Sequence, residues 1–306
     1  MGPVMHDVNL QIRRGALTAV VGRVGEGKSS LVGALLGEMY KYSGEVRSFG
    51  SLAYVSQTAW ILNASVRDNI LFGRPYDKDQ YLKTIRSCAL VPDFKMLVSG
   101  DKTVIGEKGI NLSGGQKQRI SIARAVYANA DVYILDDPLS AVDAHVDHHI
   151  FKHALTTILA DKTRILVTNG VNHLKQVDQI IVIKQGRITQ DGSYDDLIQN
   201  VDGDLYRLIQ ESKLVASKEG VDGSGSEESS ETDSSEEEDE AVVAAILEKE
   251  ELPGASSERP AGPVKRPTFK RAKSSKVPAE EEEDLEIDEK NEVDEEIISE
   301  GRVGWE

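Results

Sequence analysis

Eight residues near the amino terminus, Gly22-Arg23-Val24-Gly25-Glu26-Gly27-Lys28-Ser29, carry the strongest chemical signal in the chain. They fit the pattern G-x-x-x-x-G-K-[ST], with the apolar run Thr18–Val21 before them and a helical pattern, Ser29–Met39, after. Glycines let the backbone wrap so that N–H groups face phosphate oxygens, and a helix N-terminus adds positive potential. In such a cradle Lys28 reaches the β- and γ-phosphates and the Ser29 hydroxyl ligates Mg²⁺. Glu26 is out of place, because a carboxylate in an anion-binding loop weakens phosphate binding unless it points outward. A second run, Val132-Tyr133-Ile134-Leu135-Asp136-Asp137, reads as a buried strand ending in two acids. Asp136 is the candidate Mg²⁺ ligand and Asp137 the group that orients an attacking water. Taken alone, the same run is also how many buried strands end at a turn. A third run, Leu112-Ser113-Gly114-Gly115-Gln116, sets a hydroxyl and backbone amides at a helix start, fit to hold a γ-phosphate. It reads equally as a glycine turn capping the helix Gln116–Ala128.

The elements that must position these groups alternate in type. Strand-like runs fall at Val8/Leu10/Ile12, Leu17–Val21, Ser51–Val55, Val132–Leu135, Arg164–Thr168 and Gln179–Ile183. Helical patterns lie between them: one from Lys28, then Asp77–Ala89, Gln116–Ala128 and Ala144–Leu159. A closing helix is expected from Ser193, where Ser193-Tyr194-Asp195-Asp196 offers an N-cap with an acid three residues on. Strands interleaved with helices predict an α/β unit over residues 1–212 with a largely parallel sheet covered on both faces.

The chain has 306 residues and a net charge of −16, very unevenly spread. Residues 1–212 hold 24 basic and 23 acidic side chains, whereas 213–306 hold 12 and 29. No basic face is available for nucleic acid, which excludes that partner. The single cysteine, Cys88, excludes an internal disulfide framework and a cysteine-based zinc site. No run of about 18 apolar residues occurs to span a bilayer. Ser224–Glu240 contains no Leu, Ile, Val or aromatic residue, so residues 213–306 are expected to be a disordered, charged linker. Its basic block holds Lys265, Arg266, Lys270, Arg271, Lys273 and Lys276. Ser274 there suits a basophilic protein kinase, and Ser234 and Ser235 an acidophilic one; an unregulated tether is the alternative.

In combination, these motifs resemble the ATP-binding cassette (ABC) family. Leu112–Gln116, between the phosphate loop and the aspartate-ended strand, resembles that family's signature. Gln57 in Tyr54-Val55-Ser56-Gln57 looks like the Q-loop and Ser140-Ala141-Val142-Asp143 like the D-loop. Asp136–Asp143 and Gly106-Glu107-Lys108-Gly109 are similar to the first nucleotide-binding domain of C-subfamily transporters. Those are the multidrug-resistance-associated proteins, including fungal vacuolar glutathione-conjugate and cadmium pumps. Gly301-Arg302-Val303-Gly304-Trp305 looks like that family's junction before a second transmembrane domain.

The resemblance implies a P-loop ABC ATPase cassette with a helical signature subdomain, followed by the acidic linker. ATP and Mg²⁺ are its cofactors, and a second nucleotide-binding domain and transmembrane domains are its partners. Cassettes of the family dimerise head to tail, each nucleotide lying between one phosphate loop and the other signature. The implied nucleotide-binding residues are Gly22, Gly25, Gly27, Lys28, Ser29, Ser30, Ser113, Gly114, Gly115 and Gln116. Ser29, Gln57 and Asp136 are the Mg²⁺ set, and Asp137, Gln57 and Asn169 the catalytic one.

Three departures stand out. Asp137 replaces the family's Glu and is one methylene shorter. Asn169, in Val167-Thr168-Asn169, replaces the switch histidine and cannot carry a proton charge; His173 is a remote substitute. No aromatic lies among Met1–Val21 to stack on adenine, which fits a chain cut before that strand. The expectation is a site that holds MgATP and turns over slowly, on the cytosolic side of a membrane exporter. Alternatives are a soluble ABC ATPase and a non-hydrolytic nucleotide sensor. His145, His148, His149 and His153 share one helix at spacings that permit a metal, although a solvated polar helix explains them as well. Trp60 is either a contact for transmembrane coupling helices or a packed residue of the helical region.

Overall fold

Alternation of apolar side chains on two sheet faces builds the core. A computed structural model describes residues 4–106 and 112–218. Six strands form one sheet in the order β2-β3-β4-β1-β5-β6: β1 Leu17–Val21, β2 Leu52–Val55, β3 Val132–Asp136, β4 Thr163–Thr168, β5 Gln179–Lys184 and β6 Arg187–Gly192. The first five are parallel and β6 is antiparallel to β5. Leu17, Ala19, Val21, Tyr133, Leu135, Leu166, Ile180 and Val182 face one apolar cluster. Val20, Ile134, Ile165, Val167, Ile181 and Ile183 face the other, as a period of two requires.

Helix α1 (Lys28–Leu36) packs Leu31, Val32 and Ala34 on the second face. The first face carries α5 (Gly114–Ala128), α6 (Ala144–Ile150) and the helical region of α2 (Val66–Leu71), α3 (Lys78–Ser87) and α4 (Val91–Met96). Helices α7 (Tyr194–Ile198) and α8 (Asp204–Lys218) close the described chain.

Register explains why distant residues meet. Strand β4 lies between β1 and β3, with Val21 opposite Thr168 and Asp136 opposite Val167. The residues that follow, Gly22, Asn169 and Asp137, therefore emerge side by side at the carboxyl ends of the strands. That edge is where open α/β sheets bind ligands.

Several elements differ from the sequence expectation. Val8, Leu10 and Ile12 form no strand; both edges of β1 are taken by β4 and β5, so this segment packs against the second cluster as irregular chain. Helix α1 ends at Leu36, three residues before Met39, because Gly37 takes φ 76° and its N–H and that of Glu38 close the last turn on Ala34 and Gly33 carbonyls. The run Ala144–Leu159 changes at Phe151 into a π-helical stretch, Phe151–Ile158. There Arg164 of β4 donates to the Leu155 carbonyl at 2.8 Å, and Thr156 and Thr157 donate to the Lys152 carbonyl. Strand β6 was not expected. Helix α8 spans Asp204–Lys218, and its buried Leu205 and Ile209 tie its first half to the core. Expectations for residues 107–111, including Glu107-Lys108-Gly109, and for the linker beyond Lys218, including Ser234, Ser235, Ser274 and Gly301–Trp305, lie outside the described residues.

Cys88 is fully buried between α3 and α4, and burial pushes its thiol up to about 12. Thiolate is the reactive form. The folded protein is therefore expected to resist iodoacetamide at pH 8 and to be alkylated in urea, read by intact mass. Equal labelling in both states would place Cys88 at the surface.

Candidate functional site: a phosphate cradle at the sheet edge

Strand β1 ends in a loop that only glycine can build. A Cβ on Gly22 would lie 2.4 Å from the Ile183 carbonyl oxygen, and Gly25 and Gly27 take φ of 84° and 107°. Side chains cap α2, α3, α5, α6 and α7, through Ser65, Asp77, Ser113, Asp143 and Ser193 respectively. Helix α1 instead starts on Gly27, which offers no side-chain acceptor. The first-turn amides that follow, at Lys28, Ser29 and Ser30, are thus left for an acceptor from outside the helix. Lys28 is 8% exposed and its Nζ donates to the carbonyls of Gly22 at 2.7 Å and Arg23 at 3.0 Å. Burial pulls its pKa down, while the fields of Asp137 and Asp136 push it back up. An ammonium tied only to neutral carbonyls, beside uncapped amides, suits the phosphates of a nucleotide.

The puzzle of Glu26 resolves outward. Its carboxylate accepts from the Gln185 N–H, and its carbonyl accepts from Gly186 N–H at 2.9 Å. Gln185 (φ 49°) and Gly186 (φ 72°) form the two-residue turn between β5 and β6, of the type that needs positive φ at both positions. Gly186 is needed for a second reason, since a Cβ there would lie 1.9 Å from the Val4 carbonyl oxygen. Glu26 therefore braces the loop on the hairpin instead of facing the cradle. Arg23 pairs with Glu211 of α8, and Lys184 of β5 pairs with Asp204 of α8 at 2.7 Å.

Opposite the loop, β3 delivers Asp136 and Asp137, 7% and 8% exposed. Burial, and then the charge of Asp137, raise the Asp136 carboxyl above its usual range, partly offset by Lys28. Asp137 sits at φ 47°, and its N–H donates to the Val167 carbonyl at 2.8 Å. Its Oδ2 accepts from Asn169 Nδ2 at 2.9 Å and lies 3.5 Å from Gln57 Nε2. Gln57, Asp137 and Asn169 thus converge on one carboxylate. His173 does not join them: its Nε2 lies 2.9 Å from Asp147 and its ring stacks on Phe151 at 3.9 Å. Among the described residues no group of three or more His, Cys, Asp or Glu could hold a metal, the histidines of α6 included. Mg²⁺ is usually held by one or two carboxylates with substrate phosphates and water, a role for which Asp136 and the Ser29 hydroxyl are the candidates.

The Ser113–Gln116 element is not part of this cluster. Among the described residues no hydrogen bond joins it to the phosphate loop. Ser113 Oγ accepts from Gln116 N–H at 3.2 Å and Gln116 Oε1 accepts from Ser113 N–H at 2.9 Å, a capping box that opens α5. It is tied to both neighbouring motifs: Gln118 Nε2 donates to the Ser56 carbonyl at 3.3 Å, and a Cβ on Gly115 would lie 3.0 Å from the Ala141 carbonyl oxygen. Sequence reading missed Gly186, although a Gln-Gly pair between two β runs is a hairpin signal. It also missed Asp93, whose position in a short helix gives no signal at all.

Residues 5–140 match the ABC transporter family. Over 200 residues the chain is 56% identical to ABC transporter C family member 8 of Dictyostelium discoideum, covering 64% of this chain and 13% of the relative. It is 55% identical over 199 residues to human ATP-binding cassette sub-family C member 3, covering 64% and 13%. With multidrug resistance protein mrp-7 of Caenorhabditis elegans it shares 51% over 229 residues, covering 74% and 14%. The chain thus spans about an eighth of the length of these relatives. Residues 5–140 are thus an ABC transporter family domain, and the relatives, with the motifs that the fold gathers at one sheet edge, support a nucleotide-binding domain of the C-subfamily type.

Proposed function

We propose that this domain holds MgATP at its phosphate loop with slow turnover, lends its signature to a second cassette, and so helps to power membrane export of organic anions or conjugates. Gly22, Gly25, Gly27, Lys28, Ser29 and Ser30 bind the phosphates; Ser29, Asp136 and Gln57 hold Mg²⁺, which polarises the terminal phosphate. Ser113, Gly114, Gly115 and Gln116 serve the nucleotide on the partner. The names of the relatives, an ABC transporter among them, support a membrane location, although no described helix is long and apolar enough to cross a bilayer. Trp60 is 45% exposed beside Phe72, with the Arg124 guanidinium 3.8 Å from its ring centre, and offers an apolar edge to transmembrane segments.

The observation that carries the slow-turnover reading is the shared Asp137 carboxylate. It is short, buried, and engaged by Asn169, an amide that cannot take up a proton. A catalytic group misplaced by about 1 Å costs about 10²-fold in rate. The same feature favours the second reading, a nucleotide sensor that binds without hydrolysis.

Phosphate release from the full chain, alone and mixed with a second C-subfamily cassette that carries Glu after its strand-end Asp, tests the proposal. Low release alone and at least about tenfold stimulation in the mixture are expected, because two incomplete sites become one competent site. Full transporter-like turnover by the chain alone would overturn it, and nucleotide binding with no stimulation would leave the sensor.

A further inference from the structure

The tip of the signature is exposed, yet it is fixed from below. Ser113 and Gly114 face solvent, and a Cβ on Gly114 would meet nothing within 4 Å. Beneath them, Gln116 bridges two partners: its Oε1 accepts from Ser113 N–H at 2.9 Å and its Nε2 donates to Asp93 Oδ1 at 3.0 Å. Arg119 Nη2 donates to the same oxygen at 2.8 Å. Asp93 lies on α4, 5% exposed, with no other role in the site described above.

Chemistry sets the direction of this chain of contacts. A glutamine amide has one donating end and one accepting end, and an ionised carboxylate only accepts. Asp93 can therefore take only the NH₂ end of Gln116, which turns the carbonyl end towards Ser113 N–H. A flipped amide would set carbonyl against carboxylate and NH₂ against N–H. Burial pushes the Asp93 carboxyl above its usual range, while Gln116 and Arg119 pull it back towards the charged form. Arg119 is thus the counter-ion that keeps Asp93 an acceptor.

We infer that Asp93 is a positioning residue for the signature: through Gln116 it aims the Ser113 hydroxyl and the amides of Ser113–Gly115 at a nucleotide held by another cassette. This rests on the proposed reading of Ser113–Gln116 as half of a composite site. Asp93 touches no nucleotide, so its effect is confined to the site that the signature completes and spares the chain's own phosphate loop.

The test uses the full chain carrying Asp93→Ala, which leaves Gln116 Nε2 without its acceptor, with three readouts. Stimulation of the second cassette is expected to fall about tenfold or more, because the supporting contact is lost. Affinity for a fluorescent ATP analogue with Mg²⁺ at the chain's own loop is expected to stay within about twofold, because distant sites act independently. Amide hydrogen exchange is expected to accelerate at Ser113–Gln116 and to stay unchanged at Ala123–Tyr127 of the same helix, which a general loss of structure would also speed. Should Asp93→Ala not fold, Asp93→Leu with Arg119→Met exchanges the buried pair for apolar side chains and still leaves Gln116 Nε2 without its acceptor. Unchanged stimulation and exchange in a folded variant would overturn the inference. If the unsubstituted chain fails to stimulate, the composite-site reading falls, and the exchange data, which need no partner, still judge Asp93.

Discussion

Replacing Lys28 with alanine is expected to weaken binding of a fluorescent ATP analogue about 10²-fold, measured by titration of the full chain in Mg²⁺. Charge-assisted hydrogen bonds contribute about 1.5–3 kcal/mol each, and about 1.4 kcal/mol is tenfold in affinity. The buried ammonium now donates to the carbonyls of Gly22 and Arg23. Both contacts are neutral, so phosphate oxygens offer a stronger partner at little cost in reorganisation. Without Lys28, the uncapped start of α1 remains as an anion site, but its backbone partial charge is about half a unit. Lys28→Arg is expected to lose nearly as much, because a planar guanidinium does not fit a loop closed around a point charge. Circular dichroism should show both variants folded. Undiminished affinity in either would remove the phosphate loop from the binding site.

The second large effect runs in the direction of gain. Asp137→Glu with Asn169→His is expected to raise turnover at this chain's own loop about 10²-fold. The assay pairs the full chain with a second cassette whose own phosphate-loop lysine has been removed, so that phosphate release reports one site. Glutamate carries the carboxylate one methylene further, and histidine supplies a group able to hold a proton. Asn169 donates directly to Asp137 at 2.9 Å, so the two substitutions touch and their effects will not add. Asp137→Glu alone leaves the longer side chain under the old amide, and only a part of the gain is expected. No increase in the double variant would show that slow turnover has a cause elsewhere.

Much of this site was legible in the sequence because its physics is local. A glycine loop flanked by strand and helix announces a phosphate cradle, and an apolar run ending in two acids announces the opposing wall. Ser193 and the Ser113–Gln116 pair also cap helices as their spacing demands. Non-local partners were hidden. The outward turn of Glu26 depends on a hairpin 159 residues away in sequence, and the anchoring of Gln116 on an aspartate 23 residues upstream. Val8, Leu10 and Ile12 alternate as a strand should, but alternation reports burial on one face and says nothing about whether a hydrogen-bonding neighbour exists. In the π-helical stretch Phe151–Ile158 the Leu155 carbonyl takes Arg164 of β4 as its partner, a contact that no periodicity of residues 144–159 reveals.

The pairing of α8 with the nucleotide edge has a mechanical side. Arg23 inside the phosphate loop grips Glu211, and Lys184 grips Asp204 near the start of the same helix. Fifteen residues of helix make a rod about 22 Å long. Asp204 and Glu211 lie seven residues apart, two turns or about 10 Å of helix, so the two ion pairs hold one face of α8 against both the end of β5 and the loop after β1.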